Sequence, residues 1–600
     1  MSEASGRRLR GAGFALILGA VVLSPWPYGS ADDRARFALS ALLLLAAALW
    51  CVGRGLDGTG LPALIKPALG LPLLAILQLI LGTSAAPVWT VEALILLLAL
   101  LATFLVASEE AREHAAARWL AAALLAACAA QAAFGAWQWS ASPARIYGRS
   151  TPIVTAPFGS YVNHNHFAGL VEMGALLAAG LCAGLARRGE RRLSRAVLAG
   201  GLTLGLTAAH LASRSRGGLV ALLSGFALLS LLAATHGSGA RRTATAFASL
   251  GVVALCFGAL AIPAGTRQHL ATVLAGPTDS SASYRLDTAA ATLRTWASAP
   301  LIGTGLGAFA DAVPAFKRAH GNVRTTHAES DALELAAEGG LLGLGLAGAL
   351  ALAVGRRLGE RLERGRDPVR DGLTLGAAAG MGALLVHSMF DFNLRLPANA
   401  LAFVVIAALA AAPHAASAAL GRRRVALFAG GLLALAAAGT AWRAHGAMLL
   451  ARALEAPQSH RLAAFDALVR EHPYIAEAFR ERALAWRRLA SGRPGARLQR
   501  AVRDLEEATR IRPRWAEARA DLAWTRFAGG EPDAAARDFA QAAALDPTHR
   551  GIALGRAEFL GLSQGGEAAL GELRRLREAD ASWNESEARR ALQRWQGPPP

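Results

Sequence analysis

Thirteen mostly apolar stretches, each about long enough to cross a bilayer, fill most of the chain up to residue 442. A transmembrane helix needs roughly 20 such residues, because every backbone polar group must be paired inside the helix. Of the 600 residues, 54% are hydrophobic and 18% are charged, whereas soluble proteins have about 25% charged residues. We predict an all-α fold: a polytopic membrane bundle of about 12–13 transmembrane helices, followed by a soluble helical domain. The predicted spans lie near residues 11–25, 35–53, 61–82, 88–107, 115–138, 166–186, 196–212, 217–235, 244–263, 331–355, 372–390, 397–413 and 425–442.

Arginine clusters indicate the side of the membrane on which each loop lies, because basic residues collect in cytoplasmic loops. Five clusters agree with a cytoplasmic N-terminus, namely those near residues 7–10, 187–195, 241–242, 356–370 and 422–424. The same orientation places a long loop at 264–330, and everything after residue 442, on the opposite side. We therefore divide the chain into a membrane domain at 1–442, a soluble domain at 443–595 and a disordered tail at 596–600.

The net charge of +19 does not by itself indicate nucleic-acid binding. Much of it lies in the predicted cytoplasmic loops and in the soluble domain, so we predict no nucleic-acid partner. The four cysteines fall inside apolar runs, which excludes a disulfide framework and a thiolate metal site. These cysteines are Cys51, Cys128, Cys182 and Cys256. We expect no cofactor and no metal ligands.

The soluble domain repeats itself at a fixed interval. The pairs His472-Pro473, Arg512-Pro513 and Asp546-Pro547 precede similar helical stretches. The last two prolines are 34 residues apart, which is the period of tetratricopeptide repeats. We predict two to three such units with flanking helices. A concave face that binds a protein partner is the functional interpretation, and a helical hairpin array without a ligand is the alternative.

Polar residues gather where the predicted spans meet the outer face, and ionisable groups at such positions are usually functional. The segment Asn163-His164-Asn165-His166 opens the sixth span. Two histidines without a nearby cysteine or carboxylate make a weak metal site, so hydrogen bonding to a polar substrate or helix capping is favoured. A second segment, His387 to Leu394, lies at the outer end of the eleventh span and includes Asp391.

Basic residues on the outer face point to an anionic ligand. Arg214 and Arg216 lie in a short outer loop, against the usual charge bias, and are followed by two glycines. A guanidinium matches phosphate oxygens, and a helix start favours anions. Snorkelling to lipid headgroups is the alternative interpretation. In the long loop, Tyr284-Arg285 precedes the glycine-rich run Gly303-Thr304-Gly305-Leu306-Gly307, whose context does not fit a nucleotide-binding strand–helix unit.

The long loop ends with His327-Ala328-Glu329-Ser330-Asp331, which leads into the tenth span. Histidine can exchange a proton near neutral pH. Glu334 and Glu338 follow four residues apart, so they share one helix face. A lone histidine is more often structural than catalytic; these neighbours are what favour a functional role.

In this order the motifs resemble those of the O-antigen ligase/polymerase superfamily of bacterial membrane glycosyltransferases. Ser215 to Gly218 is similar to the family's Ser-Arg-Gly element, and Gly303 to Phe309 is similar to its G-x-G-x-G-x-F element. His327 to Gly339 is similar to its histidine-containing segment, although Ala328 replaces the usual Asn. The elements around Asn163 and Asp391 resemble a subgroup that also ends in tetratricopeptide repeats.

The resemblance implies transfer of a glycan from an undecaprenyl-diphosphate carrier to an acceptor hydroxyl at the periplasmic face of the bacterial inner membrane. Arg216 and Arg285 would neutralise the departing diphosphate, and His327 would be the general base of an inverting, metal-independent displacement. The other expected substrate-binding residues are Arg214, Asn163, His164, Asn165, His166, Glu338, His387 and Asp391.

Several alternatives remain open at this point. The acceptor could be a glycan, the lipid A-core or a protein, so the ligase, the O-antigen or exopolysaccharide polymerase and the protein O-oligosaccharyltransferase are not separated by these residues. A transporter would place ionisable groups near the middle of the membrane and often shows inverted repeats. A polysaccharide-assembly scaffold would need the repeats but not the three catalytic candidates together.

Overall fold

A computed structural model shows a chain that is helical through most of its described part. The described residues are 3–62, 66–143, 145–150, 157–187, 193–235, 251, 280–363, 367–413, 423–490, 495–580 and 583. Within them, the one strand pair is a short antiparallel hairpin of β1, Arg145–Ile146, and β2, Arg149–Ser150. The all-α prediction is therefore confirmed.

The part of the chain up to residue 455 forms fourteen of the described helices. Nine are long and apolar enough to cross a membrane, namely α2, α4, α5, α6, α7, α8, α11, α12 and α14. The chain is thus a multi-pass membrane protein. The helix bounds are α1 Glu3–Leu23, α2 Asp33–Leu56, α3 Gly70–Ile80, α4 Pro87–Glu110, α5 His114–Ala141, α6 His164–Ala186, α7 Leu193–Ala212, α8 Arg216–Thr235, α9 Ser280–Ser298, α10 Phe309–Ala312, α11 Asp331–Glu363, α12 Pro368–His387, α13 Pro397–Ala411 and α14 Arg423–Glu455.

Nine of the thirteen predicted spans coincide with these nine helices. The spans predicted at 61–82 and 397–413 correspond to shorter apolar helices, Lys66–Ile80 and Pro397–Ala411. The span predicted at 11–25 falls in α1, which carries three arginines near its start and is not among the nine. Apart from Gly251, the span predicted at 244–263 lies outside the described residues, as do Arg241, Arg242 and the tail at 596–600.

The chain divides into two compact units. The first unit comprises Met1–Pro72, Ile95–Gly276 and Gly345–Ala444, and the second comprises Leu73–Leu94, Pro277–Leu344 and His445–Pro600. The second unit therefore combines the soluble repeats with most of the long loop that the sequence predicts between two late spans. Each unit is described separately below.

In the first unit, α6 is the most enclosed of the nine long helices and packs along α12. Glycines on both helices allow this close approach: a Cβ on Gly180 would collide with the backbone of Gly372 and would lie 2.8 Å from Gly376 N. Small residues at such contacts let two membrane helices approach closely. The packing brings the start of α6 to the end of α12, where the polar residues predicted from the sequence lie.

In the second unit, α11 is interrupted at Gly340, whose φ of 62° and ψ of −163° are not helical. The interruption leaves backbone carbonyls of α11 without a partner inside the helix, and the glycine-rich loop that precedes α11 donates hydrogen bonds to them. Thr304 N donates to the Ala337 carbonyl at 3.0 Å, and Gly305 N donates to the Glu338 carbonyl at 3.0 Å. Buried backbone groups need such partners, so the glycine-rich loop and the broken helix form one structure.

The end of the second unit consists of helix pairs. The first helices of three pairs begin at Ala476, Ala516 and Arg550, in each case three residues after a proline of the predicted repeat. This confirms tetratricopeptide-like repeats, preceded by one flanking helix. The helices are α15 Gln458–Glu471, α16 Ala476–Leu489, α17 Ala496–Ile511, α18 Ala516–Ala528, α19 Pro532–Leu545, α20 Arg550–Gln564 and α21 Gly566–Ala579.

Candidate functional site

A buried carboxylate, Glu172, lies in the first half of α6 between two histidines. His387 Nδ1, at the end of α12, lies 3.1 Å from each carboxylate oxygen of Glu172. His210 Nε2, near the end of α7, lies 3.2 Å from Glu172 Oε2. The three side chains are almost fully buried. A buried charge is costly unless it is paired, so this cluster ties the ends of α7 and α12 to α6.

The Ser-Arg-Gly-Gly element is attached to this cluster through Ser215. Ser215 Oγ lies 3.5 Å from His387 Nε2 and accepts a hydrogen bond from Gly218 N at 3.0 Å. It thereby caps the first turn of α8. A Cβ on Gly218 would lie 2.9 Å from His210 Nε2, so a glycine is needed at this position. The structure thus fixes the backbone from which the neighbouring arginines extend.

Arg214 and Arg216 are the partly exposed residues of this loop, whereas Ser213 and Ser215 are buried. Arg214 has a φ of 64°, which turns the chain sharply between α7 and α8. Arg216 is the first residue of α8, and the free backbone N–H groups and the dipole of a helix start attract anions. The arrangement can present guanidinium groups to an anionic ligand.

His166 and Asp391 form a second buried pair in the first unit. His166 Nε2 lies 3.1 Å from Asp391 Oδ1, and both side chains are buried. Burial favours the neutral acid, but the adjacent His166 and its hydrogen bond outweigh this and hold the pKa of Asp391 well below its usual range. Asn399 Nδ2 donates to the His166 carbonyl at 2.8 Å. The pair therefore connects the start of α6 to the segment before α13.

Asn163 is the N-cap of α6, because its Oδ1 accepts a hydrogen bond from Asn165 N at 2.9 Å. This is the capping role considered for the asparagines of the segment. His164 and Asn165 are partly exposed, unlike His166. Of the four residues predicted here as substrate-binding, His166 is thus placed inside the fold, and Asn163, His164 and Asn165 are nearer its surface.

In the second unit, His327 is paired with a buried carboxylate. Its Nδ1 lies 3.1 Å from Glu334 Oε1, and Ala328 N donates to Glu334 Oε2 at 2.9 Å. The Glu334 side chain is 2% exposed, whereas that of His327 is 32% exposed. A carboxylate at Nδ1 sets the tautomer and orientation of an imidazole, and an imidazole can exchange a proton near neutral pH. This geometry suits a general base.

Glu338 shares the helix face of Glu334 but contacts the glycine-rich loop. Its Oε1 accepts a hydrogen bond from Phe309 N at 3.0 Å, and its side chain is fully buried. Gln78 holds the same loop: its Nε2 donates to the Ile302 carbonyl at 2.6 Å, and its Oε1 accepts from Leu306 N at 2.9 Å. Glu338 and Gln78 thus position the loop that precedes His327.

Arg285 lies on α9 in the same unit. Its Nε is 3.7 Å from Glu329 Oε2, and its side chain is 40% exposed. The neighbouring Tyr284 donates through its hydroxyl to Thr325 Oγ1 at 3.4 Å. The start of α9 therefore lies beside the segment that contains His327, and the accessible guanidinium can meet an anion there.

The predicted site residues fall into two groups. The second unit contains Arg285, His327 and Glu338. The first unit contains the others, and in it His387 and Asp391 are joined to Glu172 and His166. Sequence reasoning assigned no role to Glu172, His210 or Gln78; for Glu172 a signal existed, because an ionisable residue inside an apolar span is unusual.

Comparisons with known proteins bear on two parts of the chain. Residues 201–348 match the family model described as O-antigen ligase. A solved structure, that of a thermophilic tetratricopeptide-repeat protein of Thermus thermophilus, matches with 19% sequence identity, over 28% of this chain and 89% of that chain, at a TM-score of 0.22. No curated protein matches the chain.

The matched region includes the Ser215–Gly218 element, α9, the glycine-rich loop, and His327 with Glu334 and Glu338. These are the motifs on which the resemblance to the O-antigen ligase/polymerase superfamily rests. Residues 201–348 of this membrane protein are therefore similar to the O-antigen ligase family, and this similarity supports the role of a membrane glycosyltransferase or ligase.

Proposed function

We propose that the protein transfers a glycan from an undecaprenyl-diphosphate carrier to an acceptor hydroxyl at the periplasmic face of the bacterial inner membrane. The observation that carries this proposal is the pair of His327 and Glu334. A buried carboxylate holds Nδ1 of a histidine that is one-third exposed. Such an imidazole can accept a proton from an approaching hydroxyl through Nε2, which is the step that glycan transfer requires of a base.

The proposed reaction is a direct displacement. The acceptor oxygen forms a bond to the anomeric carbon as the bond from that carbon to the diphosphate breaks, so the configuration inverts. The proton of the acceptor hydroxyl passes to His327, and the lipid diphosphate departs as the leaving group. Preorganised positive charge at the departing diphosphate lowers the barrier, and no metal ion is invoked for this step.

Arg285 and Arg216 are the proposed diphosphate ligands. Arg285 is accessible on α9 beside Glu329 in the second unit. Arg216 opens α8 in the first unit, where the backbone is fixed by Ser215. Guanidinium groups bind phosphate oxygens with two parallel hydrogen bonds and remain charged at every relevant pH.

The acceptor is tested by the surface glycans of a deletion strain. Loss of glycan-capped lipid A-core would identify a ligase, shortened polysaccharide a polymerase, and unglycosylated protein a protein O-oligosaccharyltransferase. Unchanged glycans in all three fractions would contradict the proposal. The repeats favour a protein partner or acceptor, since such folds commonly offer extended binding surfaces.

The same strain tests the assigned base. Complementation with wild-type protein should restore the glycans, whereas His327→Ala should reduce transfer by about 10²–10⁴-fold, the usual contribution of a general base. The matched control is His320→Asn, which removes another histidine of the same loop, one that is paired with Asp287 at 3.0 Å. Normal glycans with His327→Ala at normal expression would exclude His327 as the base.

A further inference from the structure

Three potential metal ligands lie close together, one on α14 and two at the end of α15. His445 Nδ1 lies 3.3 Å from His472 Nε2 and 3.3 Å from Glu471 Oε1. The same Glu471 oxygen lies 3.7 Å from His472 Nε2. Within the described residues, this is the group of three that could hold a metal ion. All three belong to the second unit, and none is used in the proposed glycan transfer.

These spacings match one face of a metal tetrahedron. Zinc is bound by histidine nitrogens at about 2.0–2.1 Å and by carboxylate oxygens at about 2.0–2.2 Å. At tetrahedral angles, those bond lengths separate neighbouring ligand atoms by about 3.3–3.5 Å. Two of the three observed separations have this value, and a shift of a few tenths of an ångström in the exposed Glu471 side chain would bring the third to it.

One of the three side chains is buried in the fold, and the other two are open to solvent. The His472 side chain is fully buried and its backbone ends α15, because its N–H donates to the Leu468 carbonyl at 2.8 Å. The side chains of His445 and Glu471 are 45% and 50% exposed. An ion could thus enter from solvent and meet the buried imidazole.

We propose that His445, Glu471 and His472 bind a divalent transition-metal ion of the zinc class. Two imidazoles and one carboxylate are borderline ligands that favour Zn²⁺ and its neighbours over Mg²⁺ or Ca²⁺, which prefer all-oxygen sites. Water would complete the tetrahedron. The ion would join His445 of α14 to the end of α15 within the second unit.

The test measures metal bound to the full-length protein, purified in detergent with an affinity tag that contains no histidine. The protein is equilibrated with Zn²⁺, passed through a desalting column and analysed by mass spectrometry for metal content. Wild-type protein should retain about one Zn²⁺ per chain. His445→Ala and Glu471→Gln should lose it, and because both side chains are exposed, the fold should be unaffected.

The matched control is His460→Ala, which removes an exposed histidine of α15 whose Nδ1 lies 3.0 Å from Ser459 Oγ. It should retain the metal. Substitution of Co²⁺ provides a second readout, since a tetrahedral site gives intense visible absorption that His445→Ala should abolish. The proposal would be overturned if the wild type retained no more Zn²⁺ than the buffer contains, or if the wild type and His445→Ala retained equal amounts. His445 and His472 would then be a hydrogen-bonded pair and not metal ligands.

Discussion

At the scale of single residues, Arg512 is a buried link within the second unit. Its Nη2 and Nε contact the two carboxylate oxygens of Asp311 at 2.6 and 3.1 Å, and Nη1 contacts Glu477 at 2.6 Å. Its guanidinium carbon lies 4.2 Å from the ring centre of Trp515. Burial opposes the charge, but the two carboxylates outweigh burial and raise the pKa of Arg512. The residue joins a repeat to the long loop.

We predict that Arg512→Ala destabilises the second unit by about 3–5 kcal/mol, because it leaves the Asp311 carboxylate buried and unpaired. The matched control is Arg510→Ala, two residues earlier, whose side chain is 71% exposed and pairs with Glu507. This variant should change stability by less than about 1 kcal/mol. Thermal unfolding followed by tryptophan fluorescence checks both. Equal unfolding midpoints for the two variants would contradict the structural role of Arg512.

The residues predicted from the sequence were those with a local pattern. His327 was recognised by its motif, and Arg214 and Arg216 by their position in an outer loop. The partners of Glu172 could not be predicted in this way, because His210 and His387 lie 38 and 215 positions away in the sequence. Contacts of that separation depend on how helices pack, which one sequence does not show.

At the scale of elements, the broken helix α11 and the glycine-rich loop determine the position of His327. The loop glycines Gly303, Gly305 and Gly307 all have positive φ, at 70°, 109° and 79°, a region that other residues rarely occupy. The sequence indicated that these glycines do not belong to a nucleotide-binding unit, and it predicted a span beginning at residue 331. It did not predict the break at Gly340, because glycines are common inside membrane helices.

We predict that Gly303→Ala disturbs this element, since a Cβ at position 303 would collide with the backbone of Glu338. Backbone strain of this kind costs about 1–3 kcal/mol, and movement of the loop should reduce glycan transfer as well. Gly348→Ala is the matched control, because a Cβ at that position of α11 meets no atom within 4 Å. The unfolding midpoint and the transfer rate are measured together. Wild-type values for Gly303→Ala would show that the loop tolerates the change.

At the scale of the whole molecule, the sequence predicted the class of the protein and most of its spans, because a bilayer imposes length and composition on each helix. The period of 34 residues likewise predicted the repeats. The grouping of the repeats with the long loop in one unit was not predicted. It depends on tertiary contacts such as Arg512 with Asp311, for which no sequence pattern exists.

The proposed orientation can be tested with fusions of alkaline phosphatase, which is active only in the periplasm. A fusion after Trp442 should be active, because the orientation that we propose from the arginine clusters puts the repeats outside the cytoplasm. A fusion within the loop at 356–370, which holds six arginines, should be inactive. An inactive fusion after Trp442 at normal expression would mean that the number of spans before the repeats is even, whereas a cytoplasmic N-terminus and periplasmic repeats require an odd number.

The most direct test of the central claim uses purified protein in liposomes, an undecaprenyl-diphosphate-linked glycan and the acceptor identified from the deletion strain. We predict that one undecaprenyl diphosphate is released for each glycan transferred, with inversion at the anomeric carbon. We also predict that His327→Ala reduces this rate by about 10²–10⁴-fold, while His320→Asn does not. Transfer at the wild-type rate by His327→Ala, or retention of the anomeric configuration, would contradict the account.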